Sequence, residues 1–327
     1  MIPSRKLGKD GPPVGAIGFG AMALAGYYGA TDESSAVRVL QHAVEIGVNM
    51  IDTADAYANG QNESLVGRAL RGRPEAFIAT KVGIVFESGY TGTSLPMGWG
   101  FSLTINGRPE YISAAIDRSL KRLGTNSIDL LYLHYPDPAV PIDQSVDAMA
   151  DALRRGKVRH LGLSNVTASQ VRAVHQVHPI AAVQYEYSLW RREVETELLP
   201  ALRELGIALV PWSPLGGGFL TGTLGSLAPD DFRNNNPRFQ GDALKANTGR
   251  FAPLQTLARE LSITPAQLAL AWLLHQGPDI VPIPGSRKPE RVDENAAATG
   301  ITLSAGILTR IGEICPHGSA VGSTLIP

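Results

Sequence analysis

A closed α/β barrel of eight parallel strands is the fold class the sequence predicts, on three observations. Short apolar runs alternate with longer amphipathic ones throughout the chain, the pattern of successive β/α units. Eight such apolar runs can be counted. Several amphipathic runs end on glycine (Gly47, Gly124, Gly156, Gly206), where a left-handed helix cap is expected. Eight strands with returning helices close most naturally as a TIM (β/α)8 barrel, an open doubly wound sheet being the alternative.

Taken in order, Ser4 to Gly11 carries a turn signal and is expected to form an N-terminal β-hairpin plugging the barrel floor. Strands are expected near Ala16 to Phe19, Met50 to Thr53, Phe77 to Lys81 and Leu130 to His134. The remaining four are Arg159 to Ser164, Ala182 to Tyr185, Ala208 to Trp212 and Ile280 to Pro284. Helical periodicity covers Asp32 to Ile46, Tyr111 to Leu123, Asp143 to Arg155, Ala168 to His175 and Glu195 to Leu205. Two segments are too long for simple connections, Gly83 to Arg108 and Gly217 to Arg250, and are expected to form lids on the C-terminal face of the barrel. No linker divides the chain, so residues 1–327 are expected to form a single domain.

Composition narrows the function. With 44% hydrophobic and 18% charged residues the chain can bury a large core. The 29 Lys and Arg nearly balance the 30 Asp and Glu, which argues against a nucleic-acid or anionic-membrane partner recruited by bulk charge. One cysteine, Cys315, excludes an intrachain disulfide and a thiolate metal cluster. His175 and His178 lack an evident third ligand and read as structural, so no metal is expected. The start of the chain lacks a signal-peptide core and no window suits a spanning helix, so a cytoplasmic protein, monomeric or weakly oligomeric, is expected.

The chemistry is carried by Asp52, Lys81 and His134, each near the end of a successive expected strand, with Tyr57 in the loop after Asp52. In a barrel those ends converge on one mouth. Singly each has a structural explanation, as half of a buried ion pair, a packing ring or a satisfied core histidine. Together they suit proton transfer: Asp52 would hold Lys81 charged, Lys81 would lower the phenol pKa of Tyr57, and His134 would orient a carbonyl oxygen.

The runs Gly47-Val48-Asn49-Met50-Ile51-Asp52-Thr53-Ala54-Asp55-Ala56-Tyr57 and Asn62-Glu63-Ser64-Leu65-Val66-Gly67 resemble signatures of the aldo-keto reductase family. So do Ser119-Leu120-Lys121-Arg122-Leu123-Gly124 and Ile128-Asp129-Leu130-Leu131-Tyr132-Leu133-His134, and the resemblance spans nearly the whole chain. It implies a (β/α)8 barrel, an NADPH cofactor, and a catalytic tetrad of Asp52, Tyr57, Lys81 and His134 with Tyr57 as general acid.

The resemblance also places cofactor groups. Gly20, Ala21 and Met22 would lie beside the nicotinamide, although Gly18-Phe19-Gly20-Ala21-Met22-Ala23 fails as a Rossmann fingerprint because no helix opens behind it. Ser164, Asn165 and Gln184 carry amides and a hydroxyl suited to a carboxamide. Trp212 stands where the family usually has Tyr or Phe stacked on the nicotinamide, and Ser213-Pro214-Leu215-Gly216 follows it. Gly285, Ser286, Arg287, Arg291, Glu294 and Asn295 match the adenosine-phosphate segment, with Arg287 and Arg291 suited to the 2′-phosphate. Much of the family has Lys where this chain has Gly285, so NADH as a weaker cofactor stays open.

Candidate substrate contacts are Tyr28, Phe86, Trp99 and Tyr135, joined by Tyr27 and Trp190, which together suggest an aromatic-lined site for hydrophobic carbonyl compounds. The expected activity is reduction of an aldehyde or ketone. Two rivals are a cofactor-binding regulatory subunit of the same fold and an aldolase with Lys81 as Schiff-base nucleophile.

Overall fold

The structure, a computed structural model, describes residues 1–326. A hairpin of β1 (Ser4–Lys6) and β2 (Pro13–Gly15) precedes a parallel sheet. That sheet runs through β3 (Phe19–Gly20), β4 (Met50–Asp52), β5 (Phe77–Val82), β8 (Ile128–Leu133), β9 (Val158–Ser164), β10 (Ala182–Glu186) and β11 (Ala208–Trp212). A separate antiparallel hairpin, β6 (Thr93–Pro96) and β7 (Ser102–Ile105), stands between β5 and the next helix.

Residues 279–284 close the ring. On one flank Val281 and Ile283 donate to the carbonyls of Leu209 and Pro211, at 2.9 and 3.1 Å. On the other flank Gly18 and Gly20 donate to the carbonyls of Pro282 and Pro284, at 2.9 and 3.3 Å. Neither proline has an N–H to return, so bonding to the first strand runs one way only. This is why the expected strand at Ala16 to Phe19 contracts to Phe19–Gly20; on the β11 flank Leu209 also donates to the Asp279 carbonyl at 2.9 Å, so the expected eighth strand is bonded more fully there.

The helices are α1 (Glu33–Glu45), α2 (Gln61–Ala69), α3 (Pro109–Leu123), α4 (Ile142–Arg154), α5 (Ala168–His175), α6 (Leu198–Leu205), α7 (Gly241–Glu260), α8 (Pro265–His275), α9 (Pro289–Ala297) and α10 (Ala305–Ile314). Their ends follow local chemistry. Asp32 caps α1 through the Ser35 N–H, and Thr167 with Gln170 and Thr264 with Gln267 form capping boxes on α5 and α8. Gly47, Gly124, Gly156 and Gly206 all take positive φ, between 65° and 95°. Neither long connection is irregular throughout: β6 and β7 lie inside the first, and α7 begins at Gly241 within the second. Val177 lies beyond the end of α5 and is exposed.

Apolar side chains fill the barrel axis, including Met50, Ala79, Leu130, Tyr132 and Val210, and a larger layer packs between strands and helices. Leu7, in the turn of the first hairpin, is fully buried at the end of the axial cluster. Arg5 clamps the hairpin by donating to the carbonyls of Leu274, Gly277 and Ile280 at 2.6 to 2.7 Å. The hairpin is therefore the barrel floor. Leu7→Ala should cost about 2–5 kcal/mol of unfolding free energy, the range for a buried leucine whose cavity cannot collapse. Urea denaturation followed by circular dichroism measures it, and a change below about 0.5 kcal/mol would show the plug to be dispensable.

Candidate active site

Asp52 ends β4, Lys81 is the penultimate residue of β5, and His134 follows β8, so three adjacent strands deliver them to the same mouth. Lys81 Nζ donates to Asp52 Oδ1 at 2.5 Å, to the Thr53 carbonyl at 2.8 Å and to Tyr57 Oη at 3.2 Å. The ammonium's three protons are thereby spoken for. Since the phenol oxygen accepts from Lys81, its own proton is left free to point elsewhere. The second Asp52 oxygen accepts from Gln184 Nε2 at 2.7 Å. Gln184, expected to meet a carboxamide, thus has its amide N–H already committed to Asp52.

Tyr57 reaches over this pair because the chain turns sharply behind it. Ala58, Asn59 and Gly60 all adopt left-handed φ, 47°, 54° and 83°. For alanine that conformation carries strain, of the kind found where a structure over-determines a site. The Tyr57 ring stands edge-on to His134 with centroids 6.0 Å apart, and His134 stacks on Tyr135 at 5.1 Å.

The electrostatics differ from the expectation that Lys81 lowers the phenol pKa. Burial, and after it the Asp52 carboxylate, hold Tyr57 well above the ordinary phenol value. Burial likewise pushes Asp52 up and Lys81 down, each against the pull of its partner. Desolvation is the largest cause at the phenol, and the Asp52 carboxylate acts in the same direction. Burial and the nearby Lys81 hold His134 well below the ordinary imidazole value, so its ring is neutral at physiological pH. Its Nδ1 is buried without a partner among the described residues.

A layer of polar residues behind the tetrad had no assigned role in the sequence reading. Thr53 donates to Asn62 at 2.7 Å, and Asn62 donates to the Ala21 carbonyl at 3.1 Å. Glu63, fully buried, accepts from Thr80 at 2.6 Å and from Arg122 at 2.6 Å. Asn62 and Glu63 sit on the buried face of α2 among Leu65, Val66 and Ala69, and two polar residues on an apolar face were a legible signal.

On the far side of the mouth, Asn165 donates to the His134 carbonyl at 3.0 Å and accepts from the Trp212 indole at 3.2 Å. The Ser164 hydroxyl beside it is buried with no partner among the described residues. After Trp212, Ser213 and Gly216 to Gly218 all have positive φ, folding Ser213-Pro214-Leu215-Gly216 into a tight turn. Gly20 and Gly285 approach so closely that a Cβ on Gly285 would stand 2.5 Å from the Gly20 carbonyl. Ala21 and Met22 follow in a single 3-10 turn. Ser286 caps the Lys288 N–H, Arg287 reaches the Ala30 carbonyl at 3.2 Å, and Arg291 pairs with Glu294. Asn295 is buried on α9.

The aromatic expectations divide. Tyr27 stands 6.2 Å from Tyr57, and Phe232 packs against Tyr27, Trp99 and Phe101, so the two long segments meet over the mouth. Phe232 was missed, although a lone aromatic in the polar run Pro229-Asp230-Asp231-Phe232-Arg233 marked it. Tyr28 lies under the Arg233 guanidinium and Phe86 under that of Arg122. Trp190 is a correction: it is buried, stacked on Phe219 and flanked by Phe239 and Phe251, hence a packing residue. His178 pairs with Asp147, and His175 accepts from the Ile180 N–H. Among the described residues no helix is long and apolar enough to cross a membrane.

A model of the aldo/keto reductase family matches residues 16–315. The chain is 40% identical over 323 residues to a probable aldo-keto reductase 1 of Glycine max, covering 97% of this chain and 90% of that one. Among solved structures it is similar to the glycerol dehydrogenase of Gluconobacter oxydans, at 29% identity and a TM-score of 0.84, covering 99% of this chain and 98% of the other. It is also similar to a Klebsiella pneumoniae aldo/keto reductase solved with NADP and acetate, at 26% identity and a TM-score of 0.73, covering 97% and 96%. The chain therefore belongs to the aldo/keto reductase family, whose reaction class is carbonyl oxidoreduction.

Proposed function

We propose that the protein reduces aldehydes or ketones to alcohols with NADPH, with Tyr57 as the general acid. The observation that carries this reading is the direction of one hydrogen bond: Lys81 donates to Tyr57 Oη at 3.2 Å, leaving the phenolic proton available toward the mouth. A carbonyl oxygen placed between Tyr57 and the neutral His134 would meet a proton donor on one side and a polar ring on the other. As negative charge builds on that oxygen, Tyr57 passes its proton to it, because an alkoxide is a stronger base than a phenolate. The phenolate left behind faces the Lys81 ammonium, which Asp52 and the Thr53 carbonyl hold in place. A phenol that keeps its proton suits reduction.

The residues present fit a nicotinamide dinucleotide, which when bound supplies the hydride. The unpartnered Ser164 hydroxyl and the Asn165 amide would hold the carboxamide, and Trp212 offers a flat face beside them. The glycine turn at Gly216 to Gly218 holds itself by bonds from the Gly216 and Gly218 N–H groups to the Ser213 and Leu215 carbonyls, and its bare backbone leaves room for a dinucleotide to approach. No side chain fits at position 285, so phosphate charge must be met by Arg287 and Arg291. NADP and NADPH in two Klebsiella pneumoniae relatives point the same way. The Lys81 Schiff-base rival is disfavoured because all three Nζ protons are engaged.

Three outcomes follow from this assignment. Tyr57→Phe should retain NADPH binding by fluorescence titration while kcat for a simple aldehyde such as 4-nitrobenzaldehyde drops at least a hundredfold, the low end for loss of a general acid. Near-normal turnover would remove Tyr57 from the reaction. The double variant Arg287→Ala, Arg291→Ala should weaken NADPH at least tenfold more than NADH, and equal weakening would place the 2′-phosphate elsewhere. In single-turnover reduction, the rate should stay level from about pH 6 to 9 because neither group titrates there: His134 is already neutral and Tyr57 still protonated. A step near the ordinary imidazole pKa would contradict the neutral His134.

A further inference from the structure

A cavity of about 610 Å³ runs alongside the catalytic wall. Its inner end is formed by Tyr135, whose ring stacks on His134, and by Asn165, which ties the His134 carbonyl to Trp212. Outward, its walls are Leu95 of β6 and Met97 just after it, Val140 before α4 and Ile142 at its start, and Ile326. It leaves the mouth on the side of β8 and β9, away from the glycine turn and the 285–295 segment.

What the cavity lacks is as informative. Asp137 is the one ionisable carboxylate among its lining residues, and no Lys, Arg or His lines it. Asp137 is already spent, one oxygen accepting the Ala139 N–H at 2.9 Å and the other the Gly107 N–H at 2.9 Å. The Gln170 oxygen caps the Thr167 N–H, and both ends of the Asn165 amide are bonded. A carboxylate or phosphate group would find no cation there, and the Gln170 amide nitrogen and the second Asn165 N–H are too few to replace the water around a sugar's hydroxyls. A hydrocarbon loses nothing, and the volume suits a tail of several carbons.

Ile326 is held in place. Arg191, itself buried, donates to its carbonyl at 3.2 Å, and the Gly98 N–H, one residue beyond Met97, donates to the Leu325 carbonyl at 2.9 Å. Asn247 exchanges two bonds with Val321, at 2.8 and 2.9 Å. The groove thus has a fixed outer wall.

The geometry points to a substrate whose carbonyl sits over Tyr57 and whose uncharged alkyl or aryl-alkyl tail runs past Tyr135 into this groove. This rests on the carbonyl-reductase reading. The test is kcat/KM with NADPH for the straight-chain aldehydes from propanal to decanal, with glyceraldehyde and succinic semialdehyde as polar and anionic controls. Each added methylene should raise kcat/KM by about fourfold until the groove is full, the ratio corresponding to ~0.8 kcal/mol per buried CH2. Both controls should fall below butanal. Val140→Trp, which fills the groove, should cut the octanal-to-propanal ratio at least tenfold while NADPH binding is retained. If that variant fails to fold, Leu95→Trp on the facing wall gives the same reading. Turnover with a flat chain-length series, or with a ratio unchanged by either tryptophan, overturns the groove and leaves the reductase reading standing. Absence of turnover with every aldehyde overturns both.

Discussion

The contact between Lys81 and Asp52 inside the barrel mouth is the constraint on which the site is arranged. Both side chains are almost wholly buried, so each charge exists only because the other stands 2.5 Å away. Such a pair adds little net stability, since desolvation offsets its attraction, but losing one partner strands the other. Its value is positional. With Asp52 fixed by Gln184 and Lys81 fixed by the Thr53 carbonyl, the remaining ammonium proton has one direction left, toward Tyr57. Three strands, β4, β5 and β10, thereby cooperate in aiming one phenol.

The closure of the barrel serves the same mouth from the other side. Pro282 and Pro284 give the closing segment carbonyls but no N–H groups toward Gly18 and Gly20, and the two chains run close enough that glycine is required at both 20 and 285. Backbone, not side chain, therefore lines this part of the rim. Bare backbone can be approached where a Cβ would keep a flat ligand away.

Much of the fold was legible because barrel strands and their helices carry strong periodic signals. β11 and α5 have the boundaries expected for them, and Asp52, Lys81 and His134 fall at strand ends as the pattern required. The misreadings share a cause. Strand β3 is short because its neighbour lacks donors, a fact held by residues some 260 positions away and invisible to a local window. Trp190 looked like a pocket residue because an aromatic near a strand end has no sequence mark distinguishing a wall from a core; only the approach of Phe219, Phe239 and Phe251 decides it. The phenol pKa was misjudged for a similar reason. Proximity to an ammonium is readable from motif spacing, whereas the desolvation that outweighs it is a property of the assembled mouth.

The mouth is accordingly two-sided, and the division follows from what each connecting segment can supply. Beyond β11 and the closing segment come glycines, arginines and exposed amides, groups that recognise phosphate and leave room for backbone approach. Beyond β8 the chain reads Tyr135-Pro136-Asp137-Pro138-Ala139-Val140-Pro141, where three prolines remove backbone donors and Asp137 accepts from Ala139 within the run and from Gly107 beside it. A wall with its polar groups internally paired offers a ligand only van der Waals contact and the exclusion of water. Residues 320–326 complete that wall, bonded to Arg191, Arg238 and Asn247 on one side and to Gly98 on the other. Polar groups thus build the apolar surface: each side-chain bond to this strap fixes a wall whose exposed atoms are mainly hydrocarbon.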